Sequence, residues 1–196
     1  MECLNLDNEA LIILNFLPED IFEELQKTNF NYKTEVSTDF WEKGLFTSND
    51  EKNFNGIEIM TDVCTLKTLQ NKKITENYKD ILFKKVGELI LECPHIPTRK
   101  DNMWFNMLYY EYKKGAGINW HDDSDYTLSF SLYIHNEWDP NWGGETLIDT
   151  KRGVPLVSIC TPNTLVCIKS GVAHKVCPVT VSKIRKVLQC RFNALG

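Results

Sequence analysis

The pattern of apolar and polar residues changes character near residue 100. In the first half, residues 74–93 place apolar side chains at helical spacing, and Pro94 ends the predicted helix. Residues 18–27 predict a shorter helix, with proline in the first turn, acidic residues early and a lysine late. Residues 11–16 read as a short strand before it, and residues 31–55 as irregular with strand fragments.

After residue 100, short segments rich in β-branched and aromatic residues alternate with Gly, Pro, Asn and Asp. Eight strands are predicted, at residues 103–113, 118–122, 126–135, 145–149, 155–160, 164–169, 172–179 and 185–193. This density of short strands is typical of a sandwich or barrel. We therefore expect an α+β fold with a jelly-roll core. The chain, 1–196, is interpreted as a single domain, with 1–102 as supporting helices and strands and 103–193 as the jelly-roll core.

Composition narrows the class of protein. The chain of 196 residues is 42% hydrophobic and 25% charged, with a formal net charge of −5, which argues against wholesale disorder and against a DNA-coating protein. The seven cysteines are scattered, with no Cys-x-x-Cys pair, as expected of buried free thiols in a reducing cytosol. The chain start lacks the positive charge of a secretory signal, and no long apolar run is present. We expect a cytoplasmic protein without a membrane partner.

A set of metal-ligating residues stands out in the second half. His121 and Asp123 lie two apart where a strand runs into a loop, so they project to the same side. His174 opens a later strand. Two imidazoles and one carboxylate make the facial triad of non-haem Fe(II) sites. A hydrogen-bonded histidine or a calcium-binding acidic loop remains an alternative, although the EF-hand ligand spacing is absent. His95 and His135 fit a metal site less well.

Arginine is rare in this chain, and two arginines occupy the last predicted strand. Arg185 follows His174 closely enough to reach the same site and bind a carboxylate with both guanidinium nitrogens. Alternation places Arg191 on the same strand face as Arg185. The alternation leaves a second interpretation open, in which both arginines face solvent while Leu188 and Cys190 are buried.

Taken together, these motifs resemble the Fe(II)- and 2-oxoglutarate-dependent oxygenases, particularly the branch that includes the prolyl hydroxylases. The matching segments are 112–115, 121–123, 133–139 and 143–145, followed by His174 and Arg185. The resemblance covers about residues 103–192, with a weaker match at 11–26. It implies a double-stranded β-helix as the form of the jelly roll.

The resemblance also implies residue roles. His121, Asp123 and His174 would be the catalytic Fe(II) ligands. Arg185 would bind the distal carboxylate of 2-oxoglutarate, with the hydroxyl of Tyr133 as a helper. The implied cofactors are Fe(II), 2-oxoglutarate as co-substrate, and O2. The carboxylate at position 123 favours hydroxylation, because related halogenases lack a carboxylate there.

The resemblance also bears on other positions. Tyr112 would lie against the co-substrate near the iron, and Arg191 would be either a second co-substrate contact or only a charge at the strand end. His135 stands where the family usually has asparagine. The aromatic segment 40–46 is a candidate lid, with a hydrophobic patch that closes the sandwich as the alternative.

The implied activity is hydroxylation of a C–H bond in a protein or peptide residue, with proline as a candidate, or in a free amino acid. The spacing from Arg185 to Arg191 also resembles the AlkB-type nucleic-acid demethylases, so a nucleic-acid substrate is a less favoured alternative. A non-catalytic barrel that binds 2-oxoglutarate is the third interpretation.

Overall fold

The computed structural model describes residues 2–6, 9–28, 54–64, 78–94 and 103–194. The N-terminal elements are β1 Glu2–Leu6, β2 Ala10–Leu14, α1 Glu19–Lys27, β3 Phe54–Cys64 and α2 Tyr78–Glu92. The remaining strands are β4 Met103–Tyr112, β5 Ile118–His121, β6 Leu128–Tyr133, β7 Thr146–Ile148, β8 Leu156–Ser158, β9 Leu165–Lys169, β10 His174–Val176 and β11 Arg185–Ala194. A 3-10 helix, Pro140–Trp142, lies between β6 and β7.

The strands form two antiparallel sheets. The larger sheet has seven strands in the order β1-β2-β9-β6-β11-β4-β3, and the smaller has four in the order β5-β10-β7-β8. From β4 to β11 the chain alternates between the sheets, except that β7 and β8 follow one another in the smaller sheet, as in a jelly roll. The predicted α+β fold with a double-stranded β-helix core is confirmed.

All eight strands predicted after residue 100 are present, most of them one to three residues shorter at an end. Two further strands, β1 and β3, are not predicted by the sequence analysis. Each lies at an edge of the larger sheet and is paired on one side only, β1 with β2 and β3 with β4. Backbone pairing with one neighbouring strand holds each of them, and a local side-chain pattern does not report that pairing. The candidate lid at 40–46 lies outside the described residues.

Two buried layers stabilise the core. In the outer layer, α1 and α2 pack against one face of the larger sheet, where Leu188, Cys190 and Phe192 of β11 are buried. In the inner layer, the opposite face meets the smaller sheet, and Val187 of β11 packs there beside Tyr133. Both faces of β11 are therefore covered, and Arg185, which shares the face of Val187, lies inside the barrel. The solvent-facing alternative for Arg185 and Arg191 is wrong.

Candidate active site

A cluster of three metal-ligating side chains lies at one end of the smaller sheet. One ligand atom from each of His121, Asp123 and His174 lies within 4.8 Å of the other two. Nε2 of His121 is 3.8 Å from Oδ1 of Asp123, and Nε2 of His174 is 3.6 Å from Oδ2 of the same carboxylate. These spacings leave room for one cation between the three groups. Two imidazoles and a carboxylate are the donor set of facial-triad iron sites.

The fold brings the two histidines together through strand pairing. His174 opens β10 and pairs directly with His121 at the end of β5, so their imidazole rings lie 4.2 Å apart between centroids. Asp123 follows two residues later with φ +44°, in the left-handed region that aspartate tolerates better than most residues. This turn directs the carboxylate back towards the two rings, and the strain is typical of a functional site.

Backbone carbonyls fix the orientation of both imidazoles. Nδ1 of His121 lies 2.8 Å from the carbonyl oxygen of Asn119, and Nδ1 of His174 lies 3.0 Å from that of Val172. A carbonyl can only accept, so each Nδ1 carries the proton and each Nε2 presents its lone pair to the cluster. Burial, and then the adjacent His121 ring, lower the pKa of His174. The neutral form that a metal requires is thus favoured.

A small inner cavity of about 30 Å³ connects this cluster to Arg185. The Arg185 side chain is 1% exposed. Its Nε donates to the thiol sulfur of Cys160 at 3.2 Å, and its terminal nitrogen donates to Oγ1 of Thr146 at 3.3 Å. None of the carboxylates in the described part of the chain forms an ion pair with this guanidinium. A buried, permanently charged group without a counter-ion is costly, and an anionic ligand would relieve that cost.

Two tyrosines and a glycine shape the cavity around Arg185. The rings of Tyr112 and Tyr133 lie 4.6 and 5.0 Å from the guanidinium carbon. The hydroxyl of Tyr133 also bonds Oγ1 of Thr146 at 3.0 Å, and burial raises the pKa of Tyr133, so the phenol stays protonated. Gly144 adopts φ +77°, and a Cβ there would lie 3.0 Å from Cδ of Arg185. The absence of a side chain at Gly144 therefore leaves room for the Arg185 side chain.

Arg191 lies between the inner cavity and a larger outer cleft of about 580 Å³. Its guanidinium carbon is 5.0 Å from the ring centre of Tyr126, and it hydrogen-bonds Tyr110. Its Nε is buried, and no described residue accepts a hydrogen bond from it. Asp122 and Trp120 line the same outer cleft, which His121 and Asp123 of the triad also line.

The structure brings all seven sequence-predicted residues to one connected region. The triad, Tyr112, Arg185 and Arg191 line the inner cavity, and Tyr133 packs on Arg185. Residues that escaped the sequence analysis as site candidates include Ser131, Thr146, Cys160 and Gln189. Gln189 could have been found from the sequence, because strand alternation places it on the same face of β11 as Arg185. Cys160 and Thr146 reach Arg185 only through tertiary packing, which no local pattern encodes.

The larger part of the core matches a known protein family. Residues 107–193 match the model of the 2OG-Fe(II) oxygenase superfamily, where 2OG is 2-oxoglutarate. The matched segment contains the triad, Arg185 and the strands that carry them. This segment of the chain is similar to the 2OG-Fe(II) oxygenase superfamily. The sequence-based family prediction is confirmed. The cofactors of a 2OG-Fe(II) oxygenase are Fe(II), 2-oxoglutarate and O2, as predicted.

Solved structures share the fold of this chain over almost its whole length. A prolyl-4-hydroxylase from Pseudomonas putida superposes with a TM-score of 0.61 at 20% identity, over 97% of this chain and 96% of that one. A prolyl hydroxylase from Trichoplax adhaerens, solved with a hypoxia inducible factor peptide fragment, gives 0.59 at 17% identity, over 95% and 84%.

A third solved structure was determined with a metal and co-substrate. HygX from Streptomyces hygroscopicus, with nickel and 2-oxoglutarate bound, gives a TM-score of 0.62 at 8% identity, over 94% of this chain and 82% of that one. At these identities the likeness concerns the fold alone. No curated protein sequence matches this chain.

Proposed function

We propose that this oxygenase hydroxylates a C–H bond of a protein or peptide residue, with proline as a candidate, or of a free amino acid. The single observation that carries the proposal is the position of Arg185. Its buried guanidinium, unpaired with any described carboxylate, lies at one end of a cavity whose other end is the His121, Asp123 and His174 cluster. That arrangement suits a dicarboxylate bound between a metal and an arginine.

In the proposal, His121, Asp123 and His174 hold Fe(II). The fit rests on the donor set and on the Nδ1 contacts, which leave both Nε2 lone pairs free for the cation. Bound iron supplies the activation of O2, coupled to oxidative decarboxylation of 2-oxoglutarate. The partial burial of the carboxylate and of the His174 ring limits the access of water to the cation.

Arg185 binds the distal carboxylate of 2-oxoglutarate in the proposal, and Thr146 and Tyr133 supply neutral hydrogen-bond donors beside it. The Tyr112 ring covers the guanidinium and keeps it from turning away. The cavity of about 30 Å³ admits one water-sized molecule, so binding of a dicarboxylate requires the lining side chains to move apart. Arg185 itself, held by a weak thiol acceptor, is free to exchange that partner for a carboxylate.

Arg191 is proposed as a second co-substrate contact. It lines the inner cavity beside Asp123, and its buried Nε has no acceptor among the described residues. A carboxylate held at the metal end would supply that acceptor.

The substrate would enter through the outer cleft. Its aromatic lining, which includes Tyr110, Tyr126 and Trp120, suits an apolar or ring-shaped substrate residue. Solved relatives in fold include prolyl hydroxylases, one of them seen with a peptide. A nucleic-acid substrate is less favoured, because Asp122 and Asp125 also line the cleft and would repel phosphate groups.

We further propose that residues 1–196 act as one domain and that the protein works in the cytoplasm. The N-terminal strands β1, β2 and β3 belong to the same sheet as the core strands, which supports one folding unit. Free thiols at the cysteines with described side chains suit a reducing compartment. Among the described helices, none has the length and apolar character needed to cross a membrane.

The test is 2-oxoglutarate turnover by the purified protein. With Fe(II), 2-oxoglutarate, air and a library of peptides and amino acids, we expect release of succinate and one added oxygen atom in a substrate, detected by mass spectrometry. Binding of 2-oxoglutarate and Fe(II) without any succinate would identify the non-catalytic barrel instead. Failure to bind Fe(II) would overturn the proposal.

A further inference from the structure

A buried histidine outside the metal cluster contacts two chain segments that lie beside Arg185. His135 follows β6 and is 4% exposed. Its Nε2 lies 2.6 Å from the carbonyl oxygen of Cys160, and the backbone N–H of Lys186 donates to its Nδ1 at 3.4 Å. The imidazole thus bridges the residue next to Arg185 in the chain and the residue whose thiol accepts from Arg185.

These two contacts require one form of the ring. Nε2 must carry a proton to donate to the Cys160 carbonyl, and Nδ1 must lack one to accept from Lys186. The neutral imidazole satisfies both, whereas the imidazolium would leave the Lys186 N–H without its acceptor. Burial lowers the pKa of His135 to about 4, and the charges of Arg185 and Lys186 act in the same direction. The ring is therefore neutral at physiological pH.

Aromatic neighbours keep the ring in this position. The ring centre of His135 lies 4.7 Å from that of Trp138 and 6.0 Å from that of Tyr133. Trp138 is itself fixed by a 2.9 Å hydrogen bond from its Nε1 to the carbonyl of Gly143. The Cys160 thiol in turn donates to the carbonyl of Gly144 at 2.8 Å. His135 is thus part of a continuous buried network that ends at the guanidinium.

We infer that His135 is a positioning residue for co-substrate binding: it fixes Cys160 and the start of β11 so that Arg185 points into the inner cavity. The inference rests on the proposed function of Arg185 as the partner of the distal carboxylate. It predicts that His135 affects only ligands that carry this carboxylate. An effect confined to these ligands distinguishes a positioning role of His135 from a general contribution to the stability of the fold.

The experiment compares two 2-oxo acids by calorimetric titration into the Fe(II)-loaded protein without oxygen. 2-Oxoglutarate carries the distal carboxylate, and 2-oxobutyrate lacks it. In His135→Phe the ring and its stacking remain but both hydrogen bonds are lost, so we expect the Kd for 2-oxoglutarate to rise about ten-fold. The Kd for 2-oxobutyrate should change less than about two-fold. His135→Asn, which can still donate and accept, should lie between wild type and His135→Phe.

Two controls distinguish the positioning of Arg185 by His135 from a general loss of stability. Phe16→Leu alters the outer core layer, which does not include Arg185, and should lower thermal stability while keeping the ratio of the two Kd values. In an Arg185→Ala background, His135→Phe should weaken the binding of 2-oxoglutarate no further, because the guanidinium that His135 positions is absent.

The inference would be overturned by an unchanged affinity for 2-oxoglutarate in the His135 variants, or by an equal loss of affinity for both 2-oxo acids. If His135→Phe does not fold, the same comparison with His135→Asn decides. A wild-type protein that binds neither acid in the presence of Fe(II) would instead overturn the proposed function.

Discussion

The imidazoles of His121 and His174 face each other across the pairing of strands β5 and β10, although a large part of the jelly roll separates them in the chain. Each ring is held by its own backbone carbonyl, at Asn119 and Val172, rather than by a second side chain. The placement of the two histidines is therefore built into the sheet and depends on strand register, whereas that of Asp123 depends on the turn that follows β5.

The first prediction concerns the histidine that is more deeply buried. His174→Ala should abolish Fe(II) binding at micromolar metal and reduce succinate release to background, because two ligands cannot hold the cation in a facial site. Metal content by elemental analysis and succinate release check this. Lys175→Ala, on the opposite face of the same strand, is the matched control and should retain both. Stoichiometric iron in His174→Ala would contradict the ligand assignment.

The second prediction concerns Arg185. Arg185→Ala should raise the concentration of 2-oxoglutarate needed for half-maximal succinate release by about ten-fold or more, since a charge-assisted pair contributes about 1.5–3 kcal/mol. Arg185→Lys should recover only part of the loss, because the ammonium lacks the planar two-nitrogen geometry. Fe(II) content should stay near stoichiometric in both variants. An unchanged requirement for 2-oxoglutarate would remove Arg185 from the proposed site.

The third prediction tests the space that Gly144 leaves for Arg185. Gly144 and Gly153 have similar positive φ angles, +77° and +80°, but a Cβ at Gly144 would press on Arg185 whereas one at Gly153 meets nothing within 4 Å. Both alanine variants incur the backbone strain of a positive φ, about 1–2 kcal/mol. Gly144→Ala should lower the free energy of unfolding further and weaken 2-oxoglutarate binding, whereas Gly153→Ala should leave that binding intact. Denaturant titration and calorimetry measure the two effects, and equal behaviour of the variants would contradict the close contact.

The fourth prediction concerns stability at acid pH. Burial lowers the pKa of His135 from 6.5 to about 4. Between these values the unfolded chain binds a proton at His135 and the folded chain does not, so the free energy of unfolding falls as the pH falls. The decrease from this group approaches about 3 kcal/mol near pH 4. Denaturant titrations between pH 7 and pH 4 should show a shallower decrease in His135→Phe than in wild type, and parallel curves would contradict a neutral buried imidazole.

Much of the fold follows from local patterns in the sequence. The helical spacing that ends at Pro94 and the short apolar segments after residue 100 correspond to α2 and to β4 through β11. The triad could be anticipated because His121 and Asp123 project to one side, and because a histidine and an arginine follow at the start of two later strands. The edge strands β1 and β3 could not, since they are stabilised by pairing with β2 and β4.

The sequence by itself determined the residue types, and the succession of strands along the chain, that place two imidazoles, a carboxylate and an arginine in one jelly roll. Only the tertiary structure decided which face of β11 enters the site, because alternation reports two faces without saying what covers each. Here helices bury Leu188 and Cys190 on one face, and the smaller sheet encloses Arg185 on the other. The contacts of Arg185 with Cys160 and Thr146, and the bridge made by His135, likewise arise from packing between segments that are distant in the chain.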